Sequence, residues 1–409
     1  MSTYSDVVIV GGSVAATRAA EAARRHAPSL NVTVVSAEAH LPYERPPLSK
    51  LPLGEPVDLD ELTYPAVLRL QEEGVKFALD TRADGLDIGA KQVSTNCGTI
   101  GYGALVIATG CEPILPPMLE GLPDVYVLRS YEDAVALRAA VAEPGRSVAV
   151  IGAGFIGGEF AATLVKEGHE VTLVDLAAKP LGRFGDAVAD AYERLHLDNG
   201  VDLELGTGAV GTVGAGGSRS LELADGRLIP ADVIVVGVGV RPSVAWLDGS
   251  GLTIENGIVC DETLRTGDGS VFAAGDAVRW PNPRYGETMR IEHWTTAADQ
   301  GRIAGINAAN SLLGGELKSC APVPYFWSDQ HGVRIQYAGH RTGAEQVVEH
   351  HDQDGSLYLY HSGDEAVAVL AFERRPVFVR LRAALRNGLS WEQAREIAGL
   401  GEPDRVASR

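Results

Sequence analysis

The sequence predicts an α/β protein with two Rossmann-like dinucleotide-binding domains followed by a small C-terminal α+β domain. Three observations carry this. "DVVIV" (residues 6–10) is an apolar run that ends in glycines, turns into a helical pattern from about Val14 to Arg25, and returns to a strand-like run, "NVTVVSAE". The same strand–loop–helix–strand order recurs in "SVAVIGAGFIGGEFAATLVKEGHEVTLVD", residues 147–175. Each is a β-α-β unit and implies a parallel sheet, and the two are separated by roughly one domain length. From about Cys320 the texture changes: "YFWSDQHGVRIQYAG" and "AVAVLAFERRPVFVRLR" read as strands, and a final helix is expected near Ser390 to Ala398. The Gly-rich "GTVGAGGSRS", residues 211–220, reads as a hairpin turn.

A chain of 409 residues exceeds one ordinary core, so two or three domains are expected. The net charge of −19 opposes nucleic-acid binding, which needs local and usually global positive charge. Four cysteines (Cys97, Cys111, Cys260 and Cys320) form no disulfide framework and no C-x-x-C spacing, so no metal site is expected. No apolar run is long enough to span a bilayer. The start, "MSTYSD", carries no basic or signal-type region. A cytoplasmic soluble protein with no membrane association is expected.

The second loop is the clearer of the two. Gly152, Gly154 and Gly157 satisfy G-x-G-x-x-G in full. The first glycine permits the tight turn, the second lets the backbone approach a pyrophosphate, and the third lets helix pack on strand. The helix N-terminus, with Phe155 and Ile156 in its first turn, offers free N–H groups and partial positive charge. Asp175 ends the next strand, 23 residues after Gly152, where a carboxylate accepts from both ribose hydroxyls. The first loop departs from the pattern: Gly11, Gly12, Ser13, Val14, Ala15, Ala16. Alanine is tolerated at the third position. Ser13 must either turn its side chain from the phosphates or donate to one. Glu38 plays the part of Asp175 here.

Two such units suggest two dinucleotides, a flavin and a nicotinamide, because hydride passes between them. Asp175 would repel a 2′-phosphate, and no arginine occupies 176–178, which favours NADH over NADPH; Lys179 is the one nearby cation that pulls the other way.

Residues 41–50, "LPYERPPLSK", together with "GAGFIGGEF", "ATG" at 108–110, "GVGVRP" at 237–242, "FAAGDAV" at 272–278, "EHW" at 292–294 and "YFWSDQ" at 325–330, extend the pattern over nearly the whole chain. On these motifs the sequence resembles the FAD-dependent NADH:ferredoxin reductases. These are the putidaredoxin reductase-like enzymes of bacterial cytochrome P450 and ring-hydroxylating dioxygenase systems, built on the glutathione-reductase fold. The resemblance implies an FAD-binding domain in two parts, 1–115 and 246–320, an NAD-binding domain at 116–245 and a C-terminal domain at 321–409. It also implies a monomer.

Family roles carry over to matching positions. Arg45 would contact the FAD pyrophosphate, and Asp276, next to Gly275, would hold the ribitol. Trp294 would sit by the flavin ring, and Lys50 would lie near flavin N5, paired with Glu159. The resemblance further assigns cofactor contacts to Ala83, Ala108, Thr109, Gly110, Gly239, His293 and Trp327. Glu159 and Glu292 would orient the nicotinamide carboxamide.

Residues 1–96 contain no cysteine. Disulfide reductases of this fold need a redox C-x₄-C pair after the first loop, and NADH peroxidases and coenzyme A disulfide reductases need a single cysteine there. Electrons must therefore leave for an external acceptor, expected to be an acidic iron–sulfur ferredoxin that serves a P450 or dioxygenase. Cys111, directly after "ATG", reads as packing. Docking an acidic partner needs a local basic patch. From Glu373 to Arg409 there are eight arginines and five acids, with Arg374, Arg375, Arg380 and Arg382 clustered. Three alternatives share the fold: an NADH oxidase using oxygen, an apoptosis-inducing-factor-like redox sensor, and an electron donor to rubredoxin or nitrite reductase.

Overall fold

A computed structural model describes residues 3–53, 55–214 and 219–400. Residues 215–218 of the Gly-rich turn therefore lie outside the described residues, as do the first two residues and residues 401–409, with Arg405 and Arg409 of the arginine count. The strands that lead to that turn, Ala209–Val213 and Ser220–Leu223, pair antiparallel.

The first sheet is built around Thr3–Val10, which pairs in parallel with Val32–Val35 on one side and with Gly98–Ile107 on the other. Lys76–Ala78 extends it beyond Val32–Val35, and Gln92–Thr95 and Ala83–Asp87 extend it antiparallel at the other edge. Val7, Val8 and Ile9 are wholly buried. That is why this stretch reads as a continuous apolar run: a parallel sheet is covered on both faces. One cover is the helix Val14–His26, packed on the helix Trp294–Leu313. A Cβ at Gly301 or Gly305 would meet the carbonyl oxygen of Ala15 or Ala19 at 2.3 and 2.2 Å. The two glycines, one turn apart, and the alanine-rich face opposite let the backbones touch.

After Ile107 the chain leaves this sheet through Cys111–Pro113. It builds a second, five-stranded parallel sheet in the order Val201–Leu205, Glu170–Asp175, Ser147–Ile151, Val233–Val236, Val125–Tyr126. It returns through Val240–Pro242, antiparallel to Cys111–Pro113. Val271–Ala273 then rejoins the first sheet beside Gly98–Ile107. The two crossings pair with each other, so the second unit hangs from the first on a two-stranded ribbon.

The last unit is a five-stranded antiparallel sheet, in the order Tyr325–Gln330, Val333–Gly339, Glu365–Glu373, Gly355–Ser362, Gln346–Asp352. Helices Arg375–Leu385 and Trp391–Ala398 close it; the second falls where a final helix is expected, and a Ser390–Gln393 capping box opens it. One expectation is corrected. "RRPVFVRLR" is the helix Arg375–Leu385, not a strand. Pro376 starts it, because a proline has no N–H for a sheet ladder but suits the first turn of a helix. Phe378, Leu381 and Leu385 then recur on one buried face.

Candidate active site

At the first loop, Gly11 has φ +142°, and a Cβ there would lie 2.1 Å from the Ala108 carbonyl oxygen; one at Gly12 would lie 2.2 Å from Ser36 Oγ. The loop is thus clamped between "ATG" and the end of the second strand. Ser13 caps the helix in an extended conformation and its hydroxyl makes no capping bond. The N–H groups of the first turn have no partner within the helix. Ala16 is fully buried. Gly275 lies against Ala15, at 3.2 Å from a built Cβ to the alanine Cβ, so "AAGDA" abuts the loop. Thr109 donates to the Ser243 carbonyl (2.8 Å), and the Gly110 carbonyl accepts from Ser243 N–H (2.9 Å). Ala83 lies two residues beyond Thr81, whose N–H donates to the Ser36 carbonyl at 2.8 Å.

A polar cluster borders this loop. Glu38 accepts from the Tyr43 hydroxyl (2.6 Å) and from Arg45. Arg45 also donates to the Arg129 carbonyl (2.6 Å), and the Arg129 guanidinium pairs with Asp276 at 3.4 Å. Sequence reasoning missed Arg129. Its signal was present: it precedes the Ser130–Asp133 capping box that opens the helix Tyr131–Ala140, which fixes its backbone. Arg45 Nε, Arg290 Nε and Gln300 Nε2 are buried donors with no partner in the protein. Burying such donors unpaired costs free energy, so the cluster fits a large polyanionic, hydroxylated group such as FAD.

At the second loop, a Cβ at Gly157 would meet the Gly152 carbonyl oxygen at 2.0 Å, while Gly154 has nothing within 4 Å. Helix packing accounts for the one and open space for a pyrophosphate suits the other. Asp175 accepts from the N–H groups of Ala153 and Ala177, each at 2.7 Å, one per carboxylate oxygen. It therefore fixes the loop, with lone pairs left for a ribose. Lys179 pairs at the surface with Asp186 and Asp190 at 3.4 and 3.1 Å, which offsets its charge beside the loop. Ile156 is 52 % exposed, whereas the Phe155 ring turns inward against Phe326, centroid to centroid 4.6 Å. Gly239, in open space at φ +113°, accepts from Ile114 N–H (3.0 Å) where the chain returns. We expect Asp175→Ala to raise the KM for NADH about tenfold with little change for NADPH, measured by steady-state NAD(P)H oxidation.

Glu159 joins the units. It lies on the helix Phe155–Lys166 and is 2 % exposed. One oxygen accepts from Lys50 Nζ (2.7 Å) and Ser49 Oγ (2.6 Å); the other accepts from Ser328 Oγ (2.6 Å). Trp294 donates to the Tyr64 hydroxyl (3.2 Å) and stands edge-on to Trp327 at 6.2 Å. Trp327 in turn stacks on Tyr325 (5.8 Å, 27°), which Arg382 covers at 3.5 Å. Glu292 is engaged by Arg290 at 2.7 Å. The His293 imidazole packs on Phe326 and is pushed down to about 3 by burial, then by Arg183.

Two further sequence readings meet the geometry. Cys111 donates to the Asp276 carbonyl (3.5 Å), and burial, then Asp276, pushes its thiol up to about 12, so it stays protonated. Arg374 leaves the basic cluster: it is buried against Asp352, because the chain turns there at φ +50° from sheet to helix. Arg375, Arg380 and Arg386 remain exposed.

His196 is wholly buried, and burial, then His331, pushes it down to about 4 from an ordinary 6.5, with Gln330 opposing. A histidine whose folded pKa is depressed loses stability as pH falls from the unfolded value towards the folded one. Stability should therefore drop by up to about 3 kcal/mol between pH 6.5 and 4 through this group. Melting temperatures of His196→Gln should fall less steeply with acid than those of the parent.

The pyridine nucleotide-disulphide oxidoreductase family profile matches residues 5–301, and the reductase C-terminal profile matches 325–398. The ferredoxin–NAD(+) reductase component of the anthranilate 1,2-dioxygenase system of Burkholderia cepacia is 36 % identical, over 89 % of each chain. The crystal structure of the ferredoxin reductase for the CYP199A2 system of Rhodopseudomonas palustris superposes with a TM-score of 0.88. It shares 31 % identity and covers 95 % of this chain and 97 % of that one. A covalent putidaredoxin reductase–putidaredoxin complex superposes at 0.86, with 29 % identity over 94 % and 93 %. The chain belongs to the FAD-dependent NADH:ferredoxin reductases, within the pyridine nucleotide-disulphide oxidoreductase family. It is an oxidoreductase flavoprotein that uses FAD and NADH.

Proposed function

We propose that this chain oxidises NADH at the junction marked by Lys50 and Glu159 and reduces an acidic iron–sulfur ferredoxin that serves a P450 or dioxygenase. One NADH supplies two electrons for two ferredoxins and releases one proton. The observation that carries the reading is the buried Lys50–Glu159 pair, which ties the segment after the first loop to the helix of the second.

When bound, FAD supplies the conversion between hydride transfer and single-electron release. The protein's part is to bind and position. The helix N-terminus after Ser13 and the donors Arg45, Arg290 and Gln300 hold the FAD. The loop at Gly152–Gly157 and Asp175 hold the NADH. Glu159, fixed by three donors, orients the carboxamide so that hydride transfer runs by proximity. Glu292, His293 and Trp294 line the same place. No general base or nucleophile is required. Segments 1–115 and 246–320 are assigned to FAD, 116–245 to NAD and 321–409 to the C-terminal domain, in a monomer.

Trp327, between Trp294 and Tyr325, marks the electron exit, with Arg375, Arg380 and Arg386 supplying positive charge nearby on an acidic protein. Among the described residues no helix is long and apolar enough to cross a membrane. We place the enzyme in the cytoplasm, where the four cysteines, all free, stay reduced. Arg375→Glu combined with Arg380→Glu should raise the KM for ferredoxin about tenfold and flatten its salt dependence, while NADH-to-ferricyanide turnover is unchanged. An unaltered ferredoxin KM would move the docking site elsewhere.

A further inference from the structure

Beyond Ser328, the hydrogen bonds to Glu159 continue. Gln330 Nε2 donates to Ser328 Oγ at 2.9 Å and to the Phe155 carbonyl at 3.3 Å. Gln330 Oε1 lies 3.0 Å from His196 Nε2, and His196 Nδ1 lies 3.1 Å from His331 Nε2. Ser328 and His196 are wholly buried and Gln330 is 1 % exposed. Ser328 and Gln330 share one face of the strand Tyr325–Gln330, and His196 closes the helix Asp186–Leu197. His331 sits in the following turn at φ +51°.

The direction of every bond is fixed by groups that can only accept. The Phe155 carbonyl forces the Gln330 amide nitrogen towards itself and Ser328, so Gln330 Oε1 must accept from His196 Nε2–H. His196 Nδ1 is then bare and takes the proton of His331 Nε2–H. At the other end the Glu159 carboxylate requires the Ser328 proton. The chain therefore donates one way, from His331 near the surface to Glu159. Depressed imidazole pKa values at both histidines agree with two neutral rings.

Its place is also enforced by shape. A Cβ at Gly158, beside Glu159, would meet Tyr192 Oη at 2.0 Å, Gln330 Oε1 at 2.6 Å and His196 Nε2 at 2.9 Å. The helix that carries Glu159 is bare at this point because the chain presses on it. A buried polar chain of this length is worth less to stability than apolar packing unless every member is satisfied; here every link is made.

We propose that Gln330, His196 and His331 are positioning residues for Glu159, holding its carboxylate in one orientation through Ser328. The proposal rests on Glu159 lying beside the reacting nicotinamide.

The test uses the FAD-loaded enzyme, with anaerobic stopped-flow reduction by NADH and long-range ¹H–¹⁵N spectra of histidine-labelled protein. Gln330→Met and His196→Phe should each slow the limiting rate of flavin reduction about tenfold, with the NADH dissociation constant within about twofold of the parent. His196→Gln, which keeps an N–H at the Nε2 position, should restore most of the rate. In a Glu159→Gln background, Gln330→Met should cost less than about twofold. The parent His196 should be the Nε2–H tautomer, and Gln330→Met should mix the tautomers. Ser328→Ala against Ser328→Thr repeats the comparison should Gln330→Met fail to fold. Parental rates in Gln330→Met and His196→Phe, with Glu159→Gln slow, would overturn the proposal and leave the site reading intact. So would a full additive loss in the Glu159→Gln background. A parental rate in Glu159→Gln itself would remove the site reading and the proposal with it.

Discussion

Gly11→Ala should yield a protein that purifies with less than about a tenth of the parental FAD. The added methyl would sit 2.1 Å from the backbone oxygen of Ala108, and φ is +142°, a region alanine avoids. Neither atom can yield, because Ala108 follows the buried strand Gly98–Ile107 at the centre of the first sheet. Overpacking of this kind costs about 1–3 kcal/mol or more, and it falls where the FAD must lie. Gly154→Ala is the contrast. It has open space around it and φ −79°, so fold and FAD content should be parental, while NADH binding weakens about tenfold as the methyl occupies the pyrophosphate approach. Flavin absorbance of the purified proteins and NADH titration separate the two. Equal FAD content in both would show that the first loop does not cradle the flavin.

The second large effect is at Glu159. Glu159→Leu removes the acceptor shared by Lys50, Ser49 and Ser328 and leaves their donors unpaired. Breaking a fully buried pair costs about 3–5 kcal/mol. Lys50 retains 22 % exposure, so we expect about 2–4 kcal/mol in chemical denaturation. Glu159→Gln keeps the shape but removes the charge facing Lys50 and turns an amide N–H towards one of the three donors, so it should cost about 1–3 kcal/mol, less than the leucine variant, and slow flavin reduction by about 10- to 100-fold through lost orientation. A leucine variant as stable as the parent would mean that the pair is held elsewhere.

Much of this was legible because local chemistry and fold agree. The two β-α-β units follow from apolar runs that a covered parallel sheet demands, and their loops from glycines that the backbone cannot replace. Lys50 and Glu159, far apart in sequence, were paired only through family likeness; no periodicity joins them. Arg129 was missed because its role depends on where a capped helix places it beside Asp276. The Gln330–His196–His331 chain was invisible for the same reason: each member looks like an ordinary residue until one strand, the turn after it and two helices meet. The segment "RRPVFVRLR" misled because β-branched residues alternate there, while Pro376 and the spacing of Phe378, Leu381 and Leu385 already spelled a helix.

The central claim is that NADH delivers electrons here and a ferredoxin removes them singly. The direct measurement is anaerobic mixing of the FAD-loaded enzyme with NADH, and in parallel NADPH, followed by a second mixing with an oxidised [2Fe–2S] ferredoxin. The account predicts rapid flavin bleaching by NADH, much slower bleaching by NADPH, and reoxidation that consumes two ferredoxins per flavin. Reduced enzyme that ferredoxin leaves bleached, while air reoxidises it within the turnover time, would contradict it and make the protein an oxidase.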